Sequence, residues 1–121
     1  MNRELKLDVD LMEPPVAVLR LSGSVDTTTA QRLEDAQDGV LEGGRDRLVV
    51  DMSDLDFMST AGWSVLVAKL RRVRSLHGSL QLCCMSPEVD EVHKLLEFQA
   101  LMPGHATLEA ALSAVRAGAA G

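Results

Sequence analysis

The chain has 121 residues, of which 46% are hydrophobic and 25% charged, so it has the size and composition of one domain with an ordinary hydrophobic core. Its net charge of -6 argues against a protein that neutralises nucleic-acid phosphates with clustered lysines and arginines. No apolar run approaches the length of a membrane span, and charged residues stand where a signal peptide would be apolar, so we expect a cytoplasmic protein.

The first half of the chain predicts two strands, a helix and a third strand. Residues 5–9 alternate between apolar and polar, and residues 16–21 continue in β-rich composition until Gly23, which favours an opening pair of strands. Helical spacing of apolar positions predicts a helix over 28–41. The apolar run within 47–52 predicts a central parallel strand, because both its faces would be buried.

The second half continues the alternation of helices and strands. We expect a helix over 60–76, a strand over 80–85, a third helix from Pro87, and a fourth over 107–115, with Leu101-Met102 as a possible short edge strand. The predicted apolar face of the third helix consists of Val89, Val92, Leu95 and Leu96. The pattern indicates an α/β fold: a mixed, mostly parallel sheet of four to five strands with about four helices.

The most informative segment is 49–63, which joins a buried strand to an acidic loop and then to the start of a helix. Ser59, Thr60 and Gly62 lie at that start. A hydroxyl there stands beside unpaired backbone N–H groups, where a phosphate is well tolerated. Plain helix capping by the same hydroxyls is the alternative interpretation.

Three segments together resemble the STAS domain of anti-sigma factor antagonists: 49–63, Gly23-Ser24-Val25-Asp26, and Gly78-Ser79-Leu80-Gln81-Leu82. They occur in the order and spacing of that family. The resemblance implies a single STAS domain over 1–121, with its core in 5–115 and a flexible tail over 116–121.

In the family that the sequence resembles, the unmodified protein binds an anti-sigma factor that is also a serine kinase, phosphorylation reverses the complex, and a phosphatase resets it. Thr60 occupies the usual serine position, whereas Ser59 stands where the family commonly has Asp and Ala61 where some members have Ser or Thr. The phosphorylation candidates are therefore Thr60 and Ser59, and loss of the site is the third alternative.

The resemblance also implies a partner-binding surface made of Asp26, Ser59, Thr60, Ala61, Gly62 and Trp63. Two of these residues have an alternative role. Asp26 would cap the first helix, and Trp63 would be a core residue rather than an exposed anchor for the partner.

We expect no catalytic residue, no cofactor and no metal. His77, His93 and His105 show no ligand or triad spacing, and the adjacent Cys83 and Cys84 lack metal-ligand spacing, so these cysteines are expected to be small, buried or half-buried strand residues. The alternative function is a non-catalytic STAS subunit of a lipid ABC transporter or signalling scaffold, without phosphorylation. A small nucleotide-binding or hydrolytic protein is a third hypothesis. The sequence leaves the oligomeric state open.

Overall fold

A computed structural model describes residues 3–118. Its strands are β1 (Lys6–Leu11), β2 (Val16–Val25), β3 (Arg47–Met58), β4 (Ser79–Cys83) and β5 (Gly104–His105). They form one sheet in the order β1-β2-β3-β4-β5. β1 pairs antiparallel with β2, whereas the other neighbours are parallel, which confirms the predicted mixed, mostly parallel sheet.

Four helices cover the two faces of this sheet unequally: α1 (Ala30–Glu42), α2 (Thr60–Ser75), α3 (Pro87–Leu95) and α4 (Leu108–Gly118). The larger core joins α1, α2 and α3 to one face. α4 alone packs on the other face, through Ala111, Leu112 and Val115. No helix within residues 3–118 is long and apolar enough to cross a bilayer.

β3 is longer than the sequence predicted. The predicted acidic loop after Met52 is part of the strand, which stays paired with β2 as far as Val25 and Met58 through two register shifts. Arg3 fixes this acidic stretch: its Nε donates to Asp56 Oδ2 at 2.7 Å, and its Nη2 donates to the Asp54 carbonyl at 2.7 Å. The backbone pairing and these bonds satisfy groups that would otherwise favour a loop.

Two predictions about the chain after β4 were wrong. The short edge strand is Gly104–His105 rather than Leu101-Met102, because Met102 is buried in the core at the end of a short 3-10 helix over Phe98–Ala100. α3 buries Val89 and His93, whereas Leu95, predicted on its apolar face, is 78% exposed.

The C-terminal end of the described chain also differs from the prediction in one detail. α4 continues to Gly118, and Arg116 forms an ion pair with Glu13 at 3.1 Å. The first three residues of the predicted tail over 116–121 are therefore helical. Residues 119–121 lie outside the described residues.

Candidate functional site

At the junction between β3 and α2, the hydroxyl residues Ser59 and Thr60 differ in their exposure to solvent. Ser59 is half-buried and caps the helix, since its Oγ accepts a hydrogen bond from the Gly62 N–H at 3.3 Å. Thr60 is the first residue of α2 and is exposed to solvent. Thr60 is therefore accessible from solvent, whereas the Ser59 hydroxyl is already engaged in the fold.

Gly62 allows the start of α2 to lie close to the sheet. A Cβ at this position would stand 2.1 Å from Met58 Sδ and 2.8 Å from Val25 Cγ1, well inside van der Waals contact. Val25 and Met58 are paired residues at the ends of β2 and β3. The glycine thus fixes the position of the Ser59 and Thr60 backbone relative to both strands.

Asp26 lies on the neighbouring loop. It follows Val25, whose carbonyl accepts a hydrogen bond from the Ser59 N–H at 2.8 Å, so the structure brings the Asp26 loop beside the start of α2. The Asp26 carboxylate accepts hydrogen bonds from the backbone N–H groups of Thr28 and Thr29, at 2.9 and 3.1 Å. Hydrogen bonds from the side chain and backbone of Thr28, reinforced by those from Thr29, lower the pKa of Asp26. In the free protein this carboxylate therefore holds the turn that leads into α1, whose N-cap residue, Thr29, makes no side-chain cap hydrogen bond.

Trp63 is a core residue, 2% exposed, which agrees with the core role that the sequence left open for it. Its ring centroid lies 5.8 Å from that of His93 and 5.5 Å from that of Phe98. His93 is fully buried, and its Nε2 lies 2.7 Å from the Met102 carbonyl oxygen. Gly62 is also buried and Ala61 half-buried, so Thr60 is the most exposed of the predicted residues on α2.

An open groove runs along α2 from Thr60, and we call it the α2 groove. Its volume is about 420 Å³. Apolar carbon dominates its walls, with Arg71 on its border. It is lined by Thr60, Trp63, Ser64, Val67, Ala68, Arg71, Leu96 and Phe98.

Sequence reasoning missed this groove. The stripe from Thr60 to Arg71 repeats at helical spacing and was a usable signal on α2. The opposite wall was not predictable, because Leu96 was assigned to a buried face and Phe98 lies in a short 3-10 helix.

Comparison with known proteins identifies the family. The STAS domain model matches residues 11–111. The chain belongs to the STAS domain family. This STAS domain is 30% identical over 112 residues to BtrV of Bordetella bronchiseptica, assigned as an anti-sigma factor antagonist, covering 93% of the chain and 96% of BtrV.

Solved structures agree with this assignment. An anti-sigma factor antagonist from Mycobacterium paratuberculosis superimposes on the STAS domain with a TM-score of 0.83 and 27% identity, covering 93% of this chain and 95% of that one. The Bacillus cell fate determinant SpoIIAA in its phosphorylated form gives a TM-score of 0.74 at 20% identity, covering 92% and 100%. The second likeness shows the fold alone.

Proposed function

We propose that this STAS domain is a cytoplasmic, non-catalytic anti-sigma factor antagonist, and that phosphorylation at the start of α2 controls its binding to an anti-sigma factor kinase. BtrV, which this chain matches along nearly its whole length, carries the name of an anti-sigma factor antagonist. That name supports an anti-sigma factor as the partner. The observation that carries the switch is the exposed Thr60 hydroxyl at the end of the α2 groove. A partner seated in that groove would contact this hydroxyl.

The geometry favours Thr60 over Ser59 as the phosphate acceptor. Thr60 is exposed, and a phosphate there would lie beside the free N–H groups of the first turn of α2 without disturbing the core. Ser59 already uses its Oγ to cap Gly62. Phosphorylation adds about −1.5 to −2 charge, and an unmatched dianion at an interface with a partner weakens binding by electrostatic repulsion and desolvation.

The test is phosphorylation of the full chain by anti-sigma factor kinases encoded in the same genome, with ATP, followed by mass spectrometric mapping. We expect one phosphate on Thr60, none in Thr60→Val, and normal labelling in Ser59→Ala. Thr60→Ser is the control that preserves a hydroxyl. Labelling that disappears only in Ser59→Ala would move the switch to Ser59. Tight binding to these kinases with no phosphate on either residue would refute phosphorylation control.

A further inference from the structure

Three side chains converge on the α4 side of the sheet, where β3 and β4 lie side by side. A carboxylate oxygen of Asp51 and the Sγ atoms of Cys83 and Cys84 all lie within 4.8 Å of one another. Asp51 is 7% exposed and Cys83 fully buried, while Cys84 is half-buried. Asp51 and Cys83 are paired across the two strands, so their side chains point to the same face.

The backbone at Cys84 explains why two adjacent thiols meet. Neighbouring residues of a strand point to opposite faces, and on that ground the Cys83-Cys84 sequence predicts no shared ligand. Cys84 instead follows the end of β4 with a φ of 61°, in the left-handed region that residues other than glycine seldom adopt. Its N–H donates to the His105 carbonyl at 2.9 Å. This hydrogen bond helps hold the turn that places the Cys84 thiol near the Cys83 thiol.

We propose that Asp51, Cys83 and Cys84 form a binding site for a thiophilic divalent cation, for which Zn²⁺ is the best fit. Zn²⁺ binds cysteine sulfur at about 2.3 Å and carboxylate oxygen at about 2.0–2.2 Å in a tetrahedral arrangement. These bond lengths place the ligand atoms roughly 3.5–3.8 Å apart. The observed cluster needs only small side-chain adjustments to reach that separation.

The surroundings of the cluster fit a cation with three protein ligands and a fourth coordination position open to water. Cys84 borders a groove of about 530 Å³ that is also lined by His105, so a water molecule can reach the fourth position of the tetrahedron. The Ser53 N–H donates to Asp51 Oδ1 at 3.0 Å and orients the carboxylate. Arg20 Nε lies 3.6 Å from Asp51 Oδ2 while its Nη1 donates to Asp10 Oδ2 at 2.9 Å, so Arg20 offsets part of the net negative charge that one Zn²⁺ leaves on two thiolates and a carboxylate. Each S–Zn bond replaces one S–H bond, and the two protons leave to solvent.

The experiment titrates the reduced, metal-free full chain with Co²⁺ and then with Zn²⁺. We expect one Co²⁺ per chain with thiolate-to-cobalt charge-transfer absorption, and displacement of that Co²⁺ by Zn²⁺. Cys84→Asn removes the thiol but keeps a residue that tolerates the left-handed backbone. It should abolish the absorption and weaken Zn²⁺ binding by about 100-fold or more.

Asp54→Asn is the matched control, because Asp54 is an exposed carboxylate on the same strand. It should bind both metals as the unmodified chain does. Circular dichroism of Cys84→Asn checks that the fold is retained. Absence of metal binding, binding without the charge-transfer band, or a band that survives in folded Cys84→Asn would each overturn the proposal. The result is independent of phosphorylation and of any anti-sigma factor.

Discussion

Thr60→Asp should change stability and partner affinity in opposite directions. A carboxylate in the first turn of a helix is stabilised by the unpaired N–H groups and the helix dipole by about 0.3–1 kcal/mol. For a chain of this length that corresponds to a rise in Tm of roughly 1–4 °C. Thr60 is exposed and opens α2, and Asp and Thr have similar helix propensities, so little opposes this gain.

The same negative charge should weaken binding to the anti-sigma factor. If Thr60 lies in the docking face, an uncompensated charge there lowers affinity at least tenfold, or about 1.4 kcal/mol. Isothermal titration calorimetry measures this loss, and differential scanning calorimetry measures the stability. Because the variant is expected to be more stable, weaker binding cannot be attributed to unfolding.

Thr107→Asp is the control for a new negative charge at the N-terminal end of another helix. Thr107 caps α4 by accepting a hydrogen bond from the Ala110 N–H at 3.1 Å, and α4 packs on the opposite face of the sheet from α2. Thr107→Asp should therefore leave the affinity for the anti-sigma factor unchanged. An affinity of Thr60→Asp within twofold of the unmodified chain, or an equal loss in Thr107→Asp, would refute the reasoning.

Three further predictions concern the framework of the site. Gly62→Ala should destabilise the protein by about 1–3 kcal/mol, because the new Cβ would meet Met58 Sδ at 2.1 Å. Gly39→Ala, in the middle of α1 with no atom within 4 Å of its new Cβ, should stabilise it by about 0.5–1 kcal/mol; equal urea midpoints for the two variants would contradict the packing argument. Trp63→Ala should lower stability by about 3–5 kcal/mol, and because only 2% of Trp63 is exposed where it lines the α2 groove, the affinity of the folded protein should fall much less than its stability; the opposite outcome in calorimetry would make Trp63 a partner anchor. Asp26→Asn should lower Tm at pH 7, and because the folded pKa of Asp26 lies below its ordinary 3.8, this difference should shrink as the pH falls through and below that value. A Tm difference that does not depend on pH would exclude the hydrogen bonds of the Asp26 carboxylate to this turn as its cause.

The sequence predicted the first half of β3 and the start of α2 well, because local signals agree there. An apolar run marks the strand, Gly62 marks a close approach, and Ser59 and Thr60 mark a helix start. The mixed, mostly parallel character of the sheet then follows from the alternation of strands and helices. These features depend on neighbours in the chain, so one sequence is enough to predict them.

The features of the fold that the sequence did not predict depend on tertiary contacts. His93 is polar but fills the space beside Trp63, whereas the apolar Leu95 is left at the surface. The acidic end of β3 looks like a loop until Arg3, more than fifty residues earlier, binds both Asp54 and Asp56. Contacts over such distances leave no periodic signal in the chain.

In the proposed switch, the charge at Thr60 decides whether the partner binds. The most direct measurement compares the affinity of fully phosphorylated and fully dephosphorylated protein for the same anti-sigma factor by calorimetry. We expect at least tenfold weaker binding of the phosphorylated form, with binding restored after phosphatase treatment. Equal affinities of the two forms, with phosphate mapped to Thr60, would contradict it.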